Sequence, residues 1–484
     1  MQITIAFLLL ACLSFASFAQ APQSQFQQFI RAEGSEIALM HVRVIDGTGA
    51  PPLEDQLILI SGGQIKNVGP ASTIKLSEEA KRLDLAGYTV LPGLVGMHDH
   101  MFFPMGGNPQ MYSNMGISFP RLYLALGVTT IRTTGSVQTY LDLEIKKLID
   151  SGRMLGPKMH ITSPYLDGSA AFVPAMHALT GPDDARKLVN YWADEGVTSF
   201  KAFMNISRDE LRAVVEEAHK RGLKVTGHLC SIGFREAAEI GIDNLEHGIF
   251  PDSEFVPNKQ PDKCPAAAVN ETLRNLDINS EPVKDTIRTL VAKKVAVTST
   301  LPVFEASAPL ASEQAGPTTI GSASAVLNPR MLNVMNNEAR IRYLAARSVI
   351  AADSTMPILI RKSMDFERAF VAAGGLLLAG CDPTGNGGVV AGFGDLREVE
   401  LLVEAGFTPV EAIKIASLNG AKFLGEDSRI GSIAVGKQAD LMIVKGNPAT
   451  KITDIKNVEI VFKDGIGYDS NKLIQSVQGL VGIR

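Results

Sequence analysis

The chain has 484 residues, 45% of them hydrophobic and 20% charged, a balance that excludes a disordered or fibrous protein and suits a large core plus one smaller unit. A formal net charge of -5 argues against a polyanionic partner. No dense Lys/Arg run marks a nucleic-acid or lipid-headgroup stripe, so a small molecule is the expected partner.

Residues 1–19 form an apolar segment ending in Ser17-Phe18-Ala19, with small residues three and one before a cut ahead of Gln20. This is the pattern of an export signal peptide and predicts a periplasmic or secreted protein, although no Lys or Arg precedes the apolar run. Leucines ahead of Ala11-Cys12 also suggest a lipoprotein signal. Removing the signal leaves Cys230, Cys264 and Cys381. One disulfide is open to them without a preferred pairing, and buried free thiols are expected for Cys230 and Cys381, at the ends of apolar strands.

Residues 35–90 alternate in short strands broken by glycine turns: Ala38-Leu-Met-His41-Val-Arg-Val-Ile-Asp-Gly, Gln56-Leu-Ile-Leu-Ile and Gly63-Gln-Ile-Lys-Asn-Val-Gly. They predict a small antiparallel sheet, with His41 a structural residue. Over residues 91–425 the pattern changes to strands alternating with amphipathic helices. After the opening stretch Leu91 to His100, strands are expected at Gly127–Arg132, Lys158–Thr162, Val197–Phe203, Lys224–His228, Asn244–His247, Val295–Ser299 and Gly375–Asp382. Helices are expected at Asp183–Glu195, Ser207–Arg221 and Pro409–Phe423. Eight strand-helix units make a (β/α)8 TIM barrel, and no Gly-rich phosphate fingerprint supports an open doubly wound sheet. Two insertions, Pro251–Asn279 and Arg330–Gly374, adjoin one rim and suit a lid, an oligomer contact or a solvent-covered loop. Alternation returns over residues 426–484, at Gly431–Val444 and Val458–Gly465, and these strands would join the N-terminal ones in a β-sandwich built from both chain ends.

Side chains on a strand alternate faces, so His98 and His100 point one way and Asp99 the other. Functional groups of such a barrel sit at the carboxyl ends of its strands. Those positions hold His98, His100, Lys201, His228, His247 and Asp382, four of the chain's eight histidines among them. A lysine between Phe200 and Ala202 is costly to bury charged; desolvation favours its free amine, which can take up carbon dioxide as a carbamate. An amine paired with Asp382 or Glu246 is the alternative. Tyr165 and His177, after the third strand, are candidates for binding the substrate carbonyl. The run Met101-Phe-Phe-Pro-Met105 suggests an apolar wall or packing under a lid.

These motifs resemble the metal-dependent amidohydrolase superfamily, in the branch of imidazolonepropionase-like proteins and prolidases. The likeness runs through Val44-Ile-Asp-Gly-Thr-Gly, Leu91-Pro-Gly-Leu with His98 and His100, Gly127-Val-Thr-Thr, Lys201, Gly227-His228, Glu246-His247-Gly248, Asp382, and Gly431-Ser-Ile with Gly436-Lys-Gln-Ala-Asp-Leu. The resemblance implies two divalent metal ions, zinc fitting the donors best, with His98, His100 and Asp382 on the buried one, His228 and His247 on the exposed one, and a carboxylated Lys201 bridging both. It also implies a hydroxide between the metals that attacks an amide of a dipeptide or N-acyl amino acid, with Asp382 as the catalytic proton carrier. Carbon dioxide or bicarbonate is then a cofactor for Lys201. Alternatives are a mononuclear cyclic amidohydrolase or deaminase using His98, His100, His228 and Asp382, and a non-catalytic metal-binding relative. Where relatives commonly carry an acid after Arg132 this chain has Thr133, so no role is borrowed for that position.

Overall fold

A computed structural model describes residues 26–106, 111–169, 176–311, 319–323, 327–348, 353–385 and 387–482. The expected signal peptide and Cys12 lie outside them.

Eight short strands form one sheet in sequence order: β1 (Leu94–Asp99), β2 (Val128–Thr133), β3 (Lys158–Leu166), β4 (Ser199–Ala202), β5 (Lys224–Gly227), β6 (Asn244–Glu246), β7 (Ala296–Ser299) and β8 (Leu377–Ala379). Every ladder between neighbours is parallel. Parallel strands need crossovers, and helices such as Pro182–Glu195, Arg208–Lys220 and Glu281–Ala292 supply them. Their ends are written locally. Ser207 caps Arg208–Lys220 by accepting from Glu210 N, while the Glu210 carboxylate accepts from Ser207 N at 2.9 Å. Gly196 closes Pro182–Glu195 at φ 100°, a conformation other residues resist.

Across the seam, Asp382 N donates to His98 O at 2.9 Å. The chains approach there so closely that a Cβ on Gly380 would overlap the His98 backbone. The ring is thus a TIM barrel closed by bringing β8 against β1.

The second unit is a nine-stranded sheet drawn from both ends of the chain. Leu441–Lys445 pairs antiparallel with Tyr88–Pro92, so Val90 lies beside Ile443. The sheet encloses its own apolar core of Ile37, Leu39, Ile58, Ile443, Ile460 and Phe462 among others. Unlike the expected antiparallel arrangement, it is mixed: Glu36–Val44 pairs parallel with Lys81–Asp84 along its first half and with Tyr88–Pro92 at its end. The switch falls at an irregularity between Leu39 and Val42, where His41 takes φ 58° and points out to Asp55. Residues 431–440, expected as strand, instead thread between both units, and only Leu441–Lys445 is strand. The helix expected at Pro409–Phe423 contains a π-turn at Ile415–Asn419.

Pro251–Asn279 carries the helix Ala266–Asn275. It is held by a disulfide between Cys230 and Cys264, which corrects the expectation of a free thiol at Cys230; Cys381 is free and buried. The pairing depends on the insertion after β6 returning to the chain just past the neighbouring β5, to within 4.8 Å, Cα to Cα, which spacing in the chain does not encode. Arg330–Gly374 is helical in pieces, at Pro329–Val334, Asn337–Ala346 and Met356–Ala372.

Candidate metal centre

One cavity of about 200 Å³ opens at the carboxyl ends of the barrel strands, lined by His98, His100, Lys201, His228, His247 and Asp382 together with Tyr165. Six groups scattered along the sequence meet there because each stands on or just past a strand end. In parallel pairing, residues directly opposite share a face, and the register sets Tyr165 beside Lys201 and Lys201 beside Thr226. Phe200 and Ala202, one step away, pack into the apolar core. Two groups require unusual backbone: His247 sits at φ 72° and Asp382 at φ 48°, conformations costly for residues with a Cβ.

Asp382 is the hub. Its carboxylate lies 3.3 Å from His100 Nε2, 3.7 Å from His98 Nε2 and 3.9 Å from His247 Nδ1. One donor atom each from His98, His100 and Asp382 fall within 4.8 Å of one another. The His98 and His228 rings each stand 4.5 Å from that of His247, so the imidazoles form a continuous arc. Burial pulls His98 down to about 4 and His228 to about 3, and His247 well below the usual range. At neutral pH these imidazoles are uncharged and carry a free lone pair. The other four histidines each pair with a carboxylate outside the cavity.

Buried groups behind the arc orient it. His98 Nδ1 lies 2.7 Å from Glu246 Oε2. Since a carboxylate only accepts, Nδ1 donates and Nε2 is left for the cavity. Burial would raise Glu246, but the Arg132 guanidinium, at 2.8 Å, with Lys201 and His98, holds it well below the usual carboxylate range. Arg132 also donates to Met97 O at 2.9 Å and to Asn244 at 2.8 Å. His100 Nδ1 lies 2.9 Å from Gly135 O, and His247 Nδ1 2.7 Å from Thr300 Oγ1.

Lys201 is 1% exposed, and among the described residues its Nζ has no hydrogen-bond partner. Pairing with Asp382 or Glu246 is not what the structure shows; Glu246 is taken up by His98, Arg132 and Thr226. Burial pulls the amine down to about 8 against the pull of both carboxylates. An isolated buried amine amid acceptor-rich ligands is what a group bound there would satisfy, so the donor set fits divalent cations.

Tyr165 is buried beside His100, their rings stacked at 6.5 Å. His177 stands elsewhere: half exposed, it pairs with Asp184 at 2.8 Å and does not line the cavity. Its expected role at the carbonyl is therefore replaced by a structural one at a helix start. Tyr112, which sequence reasoning missed, reaches the cavity from a hairpin of Phe102–Gly106 and Met111–Asn114, where Phe102 supplies the expected apolar wall. Arg132 was also missed; its signal is a cation inside a buried strand, the same signal that marked Lys201. Thr133 is buried and its Oγ1 accepts from Thr162 N at 3.0 Å. On the opposite face of β1, Asp99 meets Asp395 and Cys381, and burial raises the Asp99 carboxyl.

A family model described as "Amidohydrolase family" matches residues 89–466. The chain belongs to the amidohydrolase family. Imidazolonepropionase of Stenotrophomonas maltophilia is 23% identical over 254 residues, covering 43% of this chain and 62% of that one, so the match spans less than two thirds of that relative. A prolidase-like protein of Bifidobacterium longum is 25% identical, with a TM-score of 0.63 over 92% of this chain and 99% of its own. A Xaa-Pro dipeptidase with bound methionine, at 20% identity, has a TM-score of 0.65 over 90% of this chain and 100% of its own, a likeness of fold. The amidohydrolase barrel and its companion sheet thus extend along nearly the whole described chain.

Proposed function

We propose that this chain is a binuclear metal-dependent hydrolase that cleaves the carbon–nitrogen bond of an amide, in a dipeptide or an N-acyl amino acid. The observation that carries the reading is Lys201, a buried amine with no hydrogen-bond partner among the described residues, grouped with the imidazoles and Asp382 at one barrel mouth. His98, His100 and Asp382 would hold one cation and His228 and His247 the other. Lys201, if carboxylated by carbon dioxide with loss of a proton, would add an anionic oxygen donor to this set. Bound divalent cations, zinc by ligand type, supply Lewis acidity toward water and the carbonyl.

The remaining steps belong to side chains. Asp382 accepts the proton of the attacking water and returns it to the departing amine. Burial raises Tyr165 well above the usual phenol range, so its O–H stays protonated and can donate to the carbonyl oxygen as negative charge develops there. Prolidase-like and imidazolonepropionase relatives support the assignment to C–N bonds. The Cys230–Cys264 bond and the apolar leader support export to an oxidising compartment.

Screening the protein, loaded with zinc, manganese or cobalt in bicarbonate, against dipeptide, acyl-amino-acid, lactone and phosphotriester libraries tests the reading. Amide cleavage with two metals per chain is expected; no hydrolysis across the set overturns it in favour of a metal-binding protein without turnover. The close grouping of His98, His100 and Asp382 alone favours a second, mononuclear reading. One metal per chain, with activity retained in Lys201→Ala, would select it.

A further inference from the structure

Beside the metal centre lies a separate recess of about 170 Å³ walled by Met204, Cys230, Phe250, Val269 and Phe304, with His228 at its edge. His228 and Phe304 also line the main cavity, so the two spaces share a wall made of one ligand imidazole and one half-buried ring. Phe304 is stacked on Phe250, with ring centroids 3.4 Å apart, and its edge meets His247 at 5.8 Å. We infer that this annex is the pocket for an apolar side chain of the substrate, of leucine or phenylalanine size, next to the bond that is cut. The inference rests on the proposed amide hydrolysis and adds to it which amides are taken.

Three observations carry it. First, the annex adjoins the main cavity at His228 and Phe304, so it adds an apolar space beside that imidazole to the apolar wall that Phe102, Val137, Phe203 and Val303 already give the cavity. Second, the size suits the occupant: an apolar cavity of roughly 150 Å³ stays dry and accepts a benzene-sized group. Third, the outer wall is a built feature. Cys230 and Val269 belong to a small apolar cluster distinct from the barrel core, with Met204, Cys264 and Ala268 packed against it. The disulfide joins that wall to the chain two residues past His228, and Ser253 Oγ donates to Cys230 O at 2.5 Å. The distance from ligand to wall is therefore held covalently, as selection by size requires.

The test compares kcat/KM of the metal-loaded protein on Ala-Ala, on Leu-Ala and Ala-Leu, and on Phe-Ala and Ala-Phe. One of the leucyl dipeptides should be cleaved at least about 10-fold better than Ala-Ala, the scale on which a hydrophobic pocket discriminates. Val269→Trp, which fills the annex, should lower that ratio at least about 10-fold, and Val269→Ala, which widens it, should move the preference from leucine toward phenylalanine. A general structural defect would not lower the leucyl preference in one variant while raising the phenylalanyl-to-leucyl ratio in the other. Equal cleavage of all the dipeptides, or a ratio that neither variant moves, overturns the annex. Calorimetric binding of N-acetyl-leucine against N-acetyl-alanine decides the matter independently of turnover. Tighter leucine binding that Val269→Trp abolishes upholds the annex even if no dipeptide is cleaved, an outcome that would sink the proposed reaction instead; equal binding removes the annex whatever the turnover.

Discussion

Glu246 is not itself among the residues lining the cavity, yet it sets what His98 can do. Its Oε2 takes the Nδ1 proton and so leaves Nε2 facing Asp382. Glu246→Gln keeps the shape and removes the charge; metal affinity, measured by competition with a chelator, should fall by roughly 10–100-fold. On the proposed binuclear reading, the parent should bind two metals by elemental analysis and Lys201→Ala only one, with loss of amidase activity; two metals in that variant would remove the bridging role. Another buried acid bears on stability. Burial holds the Glu367 carboxyl up at about 8 beside Ser299 and Ser363, while an unfolded chain releases that proton near 4.5. Between those values the folded state binds more protons than the unfolded, so stability from this group falls as pH rises from about 4.5 to about 8 and is unaffected below that window. Glu367→Gln should flatten that decline by at most a few kcal/mol, read from urea midpoints across the range. A variant with the parent's slope would place the pH dependence elsewhere.

At the scale of elements, the disulfide and its insertion form a unit of their own. The bond closes a loop with a sequence separation of 34, for which chain entropy gives about 4 kcal/mol of stabilisation. Cys264→Ser should therefore lose hydrogen-exchange protection mainly in residues 251–279, leaving the barrel strands protected; uniform loss would mean the bond supports the whole barrel. This element also marks where sequence reading stopped. The barrel strands were legible because buried parallel strands are continuous apolar runs bounded by turn residues, and five of the metal-centre candidates stood out as polar groups breaking such runs at their ends. His98 and His100 showed their shared face through the two-residue period. Nothing comparable announces that Cys264 returns to Cys230, that Tyr112 reaches inward from a hairpin, or that His177 turns out to Asp184. Each depends on where a loop travels, and loops carry no period. The parallel pairing at Lys81–Asp84 was hidden for a related reason: alternation gives the faces of a strand but not the direction of its neighbour.

For the whole molecule, the small sheet and the barrel are packed as one. Met442, from the C-terminal part of the sheet, belongs to the barrel's apolar core and lies so close to Gly127 that a Cβ there would meet its sulfur. Tyr88–Pro92, which leads into β1, is paired along its length with Leu441–Lys445. Deleting residues 426–484 should therefore strip the support from the entry to β1. Calorimetry should show cooperative unfolding for the full chain and none for the truncated one; a truncated chain that melts cooperatively and binds metal would show the barrel to be self-sufficient.

The seam where Gly380 meets the His98 backbone has a consequence for order in time. Synthesis delivers the two N-terminal imidazoles hundreds of residues before the carboxylate that completes their grip, and the ring cannot shut until the eighth strand arrives. A growing or threading chain thus offers only a half-made chelate. A cation held by His98, His100 and Asp382 would have to wait for the final rung, and once bound it would act as a rivet through the joint, so the loaded protein should resist reopening along that line far longer than the bare one.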